Sequence, residues 1–191
     1  MAQRGGCWPI TSPKTRREKV FDQSIQFDPE FETFTYGNPT PPKARLRQLG
    51  EGSPLVFYAG LKGWNFECSP ALYMIGVFEG ERAGLAASFT RAERVGMFKN
   101  NFHVMHRNVF DDQKDRLVLV KGSANSRLPK KAVKISSVGR DKNGRPLHRL
   151  APEMQATFGG FSGNTSIQRS PPRWVPPEFT ERAAQYISTL W

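Results

Sequence analysis

Cysteine is nearly absent: Cys7 and Cys68 are the only two in 191 residues, and no Cys-x-x-Cys occurs. A disulfide framework is thereby excluded, and the chain reads as a reduced, cytoplasmic protein. No apolar run approaches the roughly 18–20 residues of a membrane span, so no membrane partner is expected. Met1 to Ile10 lacks the hydrophobic core of a signal peptide. Internal repeats are also missing. Acids are outnumbered, with 17 Asp and Glu against 28 Lys and Arg, which leaves a formal charge of +11. The resulting pI near 10.1 favours a polyanionic partner. What is plentiful is core material: 38% of residues are apolar, and fourteen Phe are enough to fill the interior of one domain.

The cations are concentrated. Between Lys121 and Arg149 stand nine Lys and Arg against one carboxylate, Asp141, a net of +8 that makes up most of the chain's excess. Lys121, Arg127, Lys130, Lys131 and Lys134 lie in a stretch rich in Gly, Ser and Asn. Small residues let the backbone come close to a partner, the cations suit phosphate oxygens, and Ser123 and Ser126 suit phosphate orientation. Nucleic acid is the expected partner, DNA in preference to RNA. The plain alternative is a solvated charged face.

Residues 1–20 are basic and aperiodic, with Arg4, Lys14, Arg16, Arg17 and Lys19 against Glu18, and read as an N-terminal arm. Residues 21–191 read as a single domain. Leu55–Ala59, Leu72–Glu79, Arg116–Val120 and Lys131–Val138 predict strands, and Asp141–Gly144 predicts a type I′ hairpin turn. Lys43–Leu49 predicts two helical turns, and residues 85–97 a helix. Phe179, Ala183, Tyr186, Ile187 and Leu190 form one face of a C-terminal helix. Many strands with few helices predict an α+β fold, a bent sheet or part-open barrel with peripheral helices.

No enzyme signature is complete. Residues 159–163 lack the Gly-Lys-Ser/Thr of a phosphate-cradling loop and read as a plain loop. His103 and His106 would share a helix face, yet without a third ligand they predict no metal site. Catalytic residues are therefore unassigned, with His103, His106 and Glu79 the candidates by residue type and position. No cofactor is expected. The aromatics say more: Tyr58 and Trp64 flank a strand end, and Trp174 adjoins Arg173 in a proline-stiffened segment that also holds Arg169. Such rings stack on an unpaired base beside phosphate-binding cations, the alternative being that they fill the core.

Five ordered blocks carry a resemblance: Phe27–Gly37, Leu55–Leu61, Leu72–Glu79, Lys121–Val133 and Ile167–Val175. Together they resemble the third nucleotide-modification-associated domain, a family of prokaryotes and their viruses, over about residues 21–190. That resemblance implies a role in making or handling modified bases in DNA. The strand ending in Phe57-Tyr58, followed by a loop and a strand ending in Gly76-Val77-Phe78-Glu79, also looks like the PUA-like group with its EVE and YTH domains. That second likeness implies a bent β-barrel holding a modified base in an aromatic pocket. The leading expectation is a nucleic-acid-binding module associated with base modification. Its rivals are an enzyme of modified-nucleotide synthesis and an interaction protein that docks on an acidic partner.

Overall fold

Antiparallel pairing of β-branched and aromatic runs builds the frame. The computed structural model describes residues 28–61, 70–161, 163, 165–167 and 171–191. Its strands are β1 (Thr35–Asn38), β2 (Pro54–Leu61), β3 (Ala71–Leu85), β4 (Val118–Gly122), β5 (Val133–Lys134), β6 (Ser136–Arg140) and β7 (Pro146–Leu150). The helices are α1 (Arg91–Phe98), α2 (Phe102–Met105), α3 (Arg107–Gln113), α4 (Pro152–Phe158) and α5 (Thr180–Ser188), with a 3-10 helix at Pro41–Gln48. The main sheet runs β1-β4-β3-β2, with β5 also on β3, and β6 pairs with β7 in a separate ribbon. Every pairing of named strands is antiparallel. The fold is thus α+β, as expected, and its sheets do not close into a barrel.

β3 serves two interiors at once. Its register with β2 steps from Phe57↔Gly76 to Tyr58↔Met74, so Ile75 is the extra residue of a bulge. A bulge resets the alternation of side chains between faces. Met74 and Val77, three apart, therefore enter the same core with Ile135, Leu150, Met154, Ala183 and Ile187. Phe78 enters the opposite core with Tyr36, Leu46, Val118 and Val120. On β2 the alternation is unbroken: Val56 and Tyr58 pack on the first core, Leu55 and Phe57 on the second. A third cluster, Ala86, Phe89, Phe98, Leu117 and Leu119, lies under the helices that follow.

Several boundaries differ from expectation for local reasons. The helix expected at 85–97 begins later, at α1, because Thr90 and Glu93 form a capping box: the Thr90 hydroxyl accepts the Glu93 N–H and the Glu93 carboxylate accepts the Thr90 N–H. The strand expected at 131–138 is broken at Ile135, which buries its side chain while its backbone bonds Leu72 and Ala151. The β6–β7 turn is a three-residue loop, not type I′: Asp141 pairs with Arg145 through N–H···O at 2.9 Å, and Gly144 takes φ 76°. α4 was not anticipated, although Pro152 opens it and Met154 and Phe158 give it a buried face. His103 and His106 do not share a helix face, because α2 ends at His106 and the chain turns into α3 there. The expected C-terminal stripe holds: Ala183 and Ile187 are buried in α5, and Tyr186 and Leu190 pack beside them.

Candidate functional site

β2 is the edge of the main sheet, and the segment from Pro171 to Val175 lies beside a cavity that it flanks. The cavity measures about 490 Å³. That lies within the ~300–1,000 Å³ of ordinary ligand pockets. Its walls are mainly apolar, with polar groups contributed by Tyr36, Lys43, Tyr58 and Arg173. Phe161, a bulky residue held at φ 48°, is another lining residue. A large side chain in the left-handed region is the kind of local strain that concentrates at functional sites.

Three residues singled out from the sequence meet here: Tyr58, Arg173 and Trp174. Burial pushes the Tyr58 phenol up from its ordinary pKa, and the nearby Arg173 charge pulls it part of the way back. Arg173 is held by an Nη2 bond to the Ser166 carbonyl at 3.2 Å. Trp174 is 40% exposed, and the Arg45 guanidinium lies 5.4 Å from its ring centroid. That geometry is a cation–π contact, with the ring partly open to solvent. Lys43 faces the same space; burial lowers its pKa, and the Asp28 charge opposes that.

Behind Tyr36 lies a buried polar cluster that the sequence did not reveal as a unit. The His103 and Asp28 side chains, 4% and 5% exposed, stand 3.7 Å apart between Nε2 and Oδ2. The other ring nitrogen, Nδ1, is 2.7 Å from the Gln113 Oε1, and Asp28 Oδ1 accepts the Gly37 N–H at 3.0 Å. Burial, with a smaller contribution from the Asp28 charge, raises the Tyr36 phenol well above its usual value. Asn101 accepts the His103 N–H at 3.1 Å from the same neighbourhood. The available signal was Asn101 and His103 amid an apolar stretch; their partner Asp28 is far away in sequence.

The basic loop does not line the cavity. Lys121 donates from Nζ to the carbonyls of Thr33 and Gly122 at 2.8 and 2.7 Å. The Ser123 hydroxyl donates to the Glu79 carboxylate at 3.1 Å, which also accepts from Asn125 Nδ2 at 2.9 Å. Ser126 is buried, and its hydroxyl oxygen accepts the Glu79 N–H at 3.1 Å. Ser123, Asn125 and Ser126 fasten the loop to Glu79 of β3, while Lys121, in β4, bonds the Thr33 carbonyl ahead of β1. Arg127 bridges to Val77 through its backbone and holds its guanidinium 5.8 Å from the Trp191 ring centroid. Lys130 and Lys131 are exposed. The His106 ring lies against Phe102 with centroids 4.6 Å apart and planes 50° from parallel, while His103 bonds Gln113 and Glu79 bonds Ser123, so these three are not brought together at one centre. Among the described residues no cluster of His, Cys, Asp and Glu could hold a metal, and no helix is long and apolar enough to cross a membrane. Trp64, Arg169 and residues 1–20 lie outside the described residues.

No curated protein and no solved structure matches the chain. A family does match, over residues 9–188, starting within the stretch read as an arm and covering every element described above. The chain belongs to the family described as nucleotide modification associated domain 3, which links it to the modification of nucleic-acid bases.

Proposed function

We propose that the chain binds nucleic acid and seats one base, in modified form, in the cavity bounded by Tyr58 and Trp174. The observation that carries this reading is the meeting of Tyr58, Arg173 and Trp174 at one space of about 490 Å³. Trp174 supplies a partly exposed stacking surface, and Tyr58 an aromatic wall with a neutral hydroxyl. Arg173 and Lys43 supply the charge that a phosphate or a polar base edge would meet. Arg127, Lys130 and Lys131 then contact the backbone outside the cavity. Ser123 and Ser126 act indirectly, by holding that loop on β3, and Lys121 by tying the Thr33 turn to β4. A base in an aromatic pocket is also what the PUA-like resemblance implies.

Recognition is favoured over catalysis because the described residues lining the cavity include no His and no carboxylate. One observation favours the enzyme as a second reading: the Asp28–His103 pair lies behind Tyr36, which is itself a lining residue. The test is titration of oligonucleotides with normal and modified bases, read by tryptophan fluorescence. Trp174→Ala should weaken binding by about 1–3 kcal/mol, the value of a base–aromatic stack. No binding by the intact chain, or equal affinity of the Ala variant, overturns the proposal. Mass spectrometry of DNA nucleosides separates the two readings: a modified base that vanishes when the gene is deleted supports the enzyme.

A further inference from the structure

The ribbon formed by β6 and β7 concentrates positive charge on one projecting element. Arg140, Lys142, Arg145 and Arg149 are all exposed. Among the described residues the ion pairs of the surface cations lie elsewhere: Arg82 with Glu93, Arg107 and Lys114 with Asp111, and Arg116 with Asp112. The ribbon's own carboxylate, Asp141, is occupied in the turn, where Oδ1 accepts the N–H groups of Asn143 and Arg145 at 2.8 Å each. Where Arg140 and Arg149 bond within the protein, they bond to carbonyls, those of Gly144 and Arg140 at 2.7 and 3.1 Å. Those bonds spread the guanidinium groups along the ribbon without cancelling their charge.

The ribbon is fixed at one end and free at the other. At its base Ser136 accepts the Leu72 N–H at 2.8 Å, Leu150 is buried, and Leu150 N–H bonds the Thr165 carbonyl at 2.8 Å. From Lys142 to Pro146 every residue is exposed, as is Val138 at 58%. Paired strands of five residues each extend roughly 17 Å at about 3.4 Å per residue. A two-stranded ribbon of this kind fits the ~12 Å major groove of B-form DNA, whereas the major groove of A-form RNA is too narrow for it.

We propose that the β6–β7 ribbon is a duplex-DNA contact, entering the major groove with Arg140, Lys142, Arg145 and Arg149 against the phosphates and base edges that flank it. This goes beyond the cavity reading and does not depend on it. It defines the partner as a double helix, where the cavity concerns only a single base.

The test is fluorescence anisotropy of the full chain with a DNA duplex, an RNA duplex of the same sequence and the single DNA strand, over a salt series. Replacing all four cations with Gln should make the log–log salt dependence for duplex DNA shallower by roughly 3–4, at about 0.9 for each phosphate no longer neutralised. Lys142→Gln with Arg145→Gln removes only side chains that make no hydrogen bond within the ribbon, so it keeps the fold; the slope should fall by about 2. Duplex RNA should bind more weakly than duplex DNA and respond less to both variants. An unchanged slope in the double variant overturns the proposal, as does an equal weakening for all three nucleic acids. Trp174→Ala should leave the salt slope intact, so failure of the cavity reading and failure of this one give different results.

Discussion

Replacing the Ser126 hydroxyl distinguishes a phosphate ligand from a structural latch. Ser126 is 3% exposed, and its oxygen accepts the Glu79 N–H at 3.1 Å. Around it, Ser123 N–H bonds the Glu79 carbonyl at 2.7 Å, and Arg127 and Val77 exchange backbone bonds at 2.8 and 2.9 Å. Ser126→Ala removes one acceptor and leaves a partly buried donor without it, which costs about 1–2 kcal/mol. For a chain of this size each kcal/mol lowers Tm by about 2–4 °C, so a fall of roughly 2–8 °C is expected. Urea unfolding should show a lower midpoint with an unchanged slope, because the surface exposed on unfolding is the same. The salt dependence of DNA binding should be that of the natural chain, since no phosphate ligand has been removed. If the variant keeps its full stability and instead loses DNA affinity, the hydroxyl binds phosphate and the latch account is wrong.

Gly37→Ala should destabilise the fold by about 1–3 kcal/mol, because the added Cβ would lie 2.7 Å from His103 Cδ2 and 2.9 Å from Asn101 Oδ1; thermal melting checks this. Tyr36 and Tyr58 both have phenol pKa values raised above 10.0 by burial, so each favours its neutral form in the folded state. Their contribution to stability is therefore full below pH 10 and lost as pH climbs from there through the raised folded-state values. Tyr58→Phe should flatten that alkaline loss in urea midpoints measured across the range, and an unaltered profile would assign the loss to Tyr36 and other groups.

The strands that form the frame were readable because their signal is local. Leu55–Ala59, Leu72–Glu79 and the run into Val120 are β-branched and aromatic, and each fell within an observed strand or overlapped one. The α5 stripe was readable for the same reason. The bulge at Ile75 was not, since it arises from the pairing of two strands and leaves no mark in either one. The site divides along the same line. Tyr58, Arg173 and Trp174 could be named by residue type, but their meeting depends on how β2 lies against a segment far along the chain. Ser126 and Lys121 looked like phosphate ligands because hydroxyls and ammonium groups in a glycine-rich loop have two uses. In the fold they bond Glu79 and the Thr33 and Gly122 carbonyls, and of these Glu79 and Thr33 lie too far along the chain for a local pattern to name. Asp28 and His103 were separated by a stretch that no pattern could bridge.

The extra residue in β3 also governs how the molecule comes apart. Met74 and Val77 belong to one interior, Phe78 to the next, and Ala86, directly after the strand, to the third. One continuous stretch of backbone thus threads all three, and neither side of it can melt while the other keeps its walls. Heating is expected to produce a single calorimetric transition with equal van't Hoff and calorimetric enthalpies. Adding one more residue between Met74 and Val77, with no second bulge to absorb it, would send Val77 and Phe78 each toward the other's interior. A chain built this way tolerates substitution along β3 far better than it tolerates a change in the strand's length.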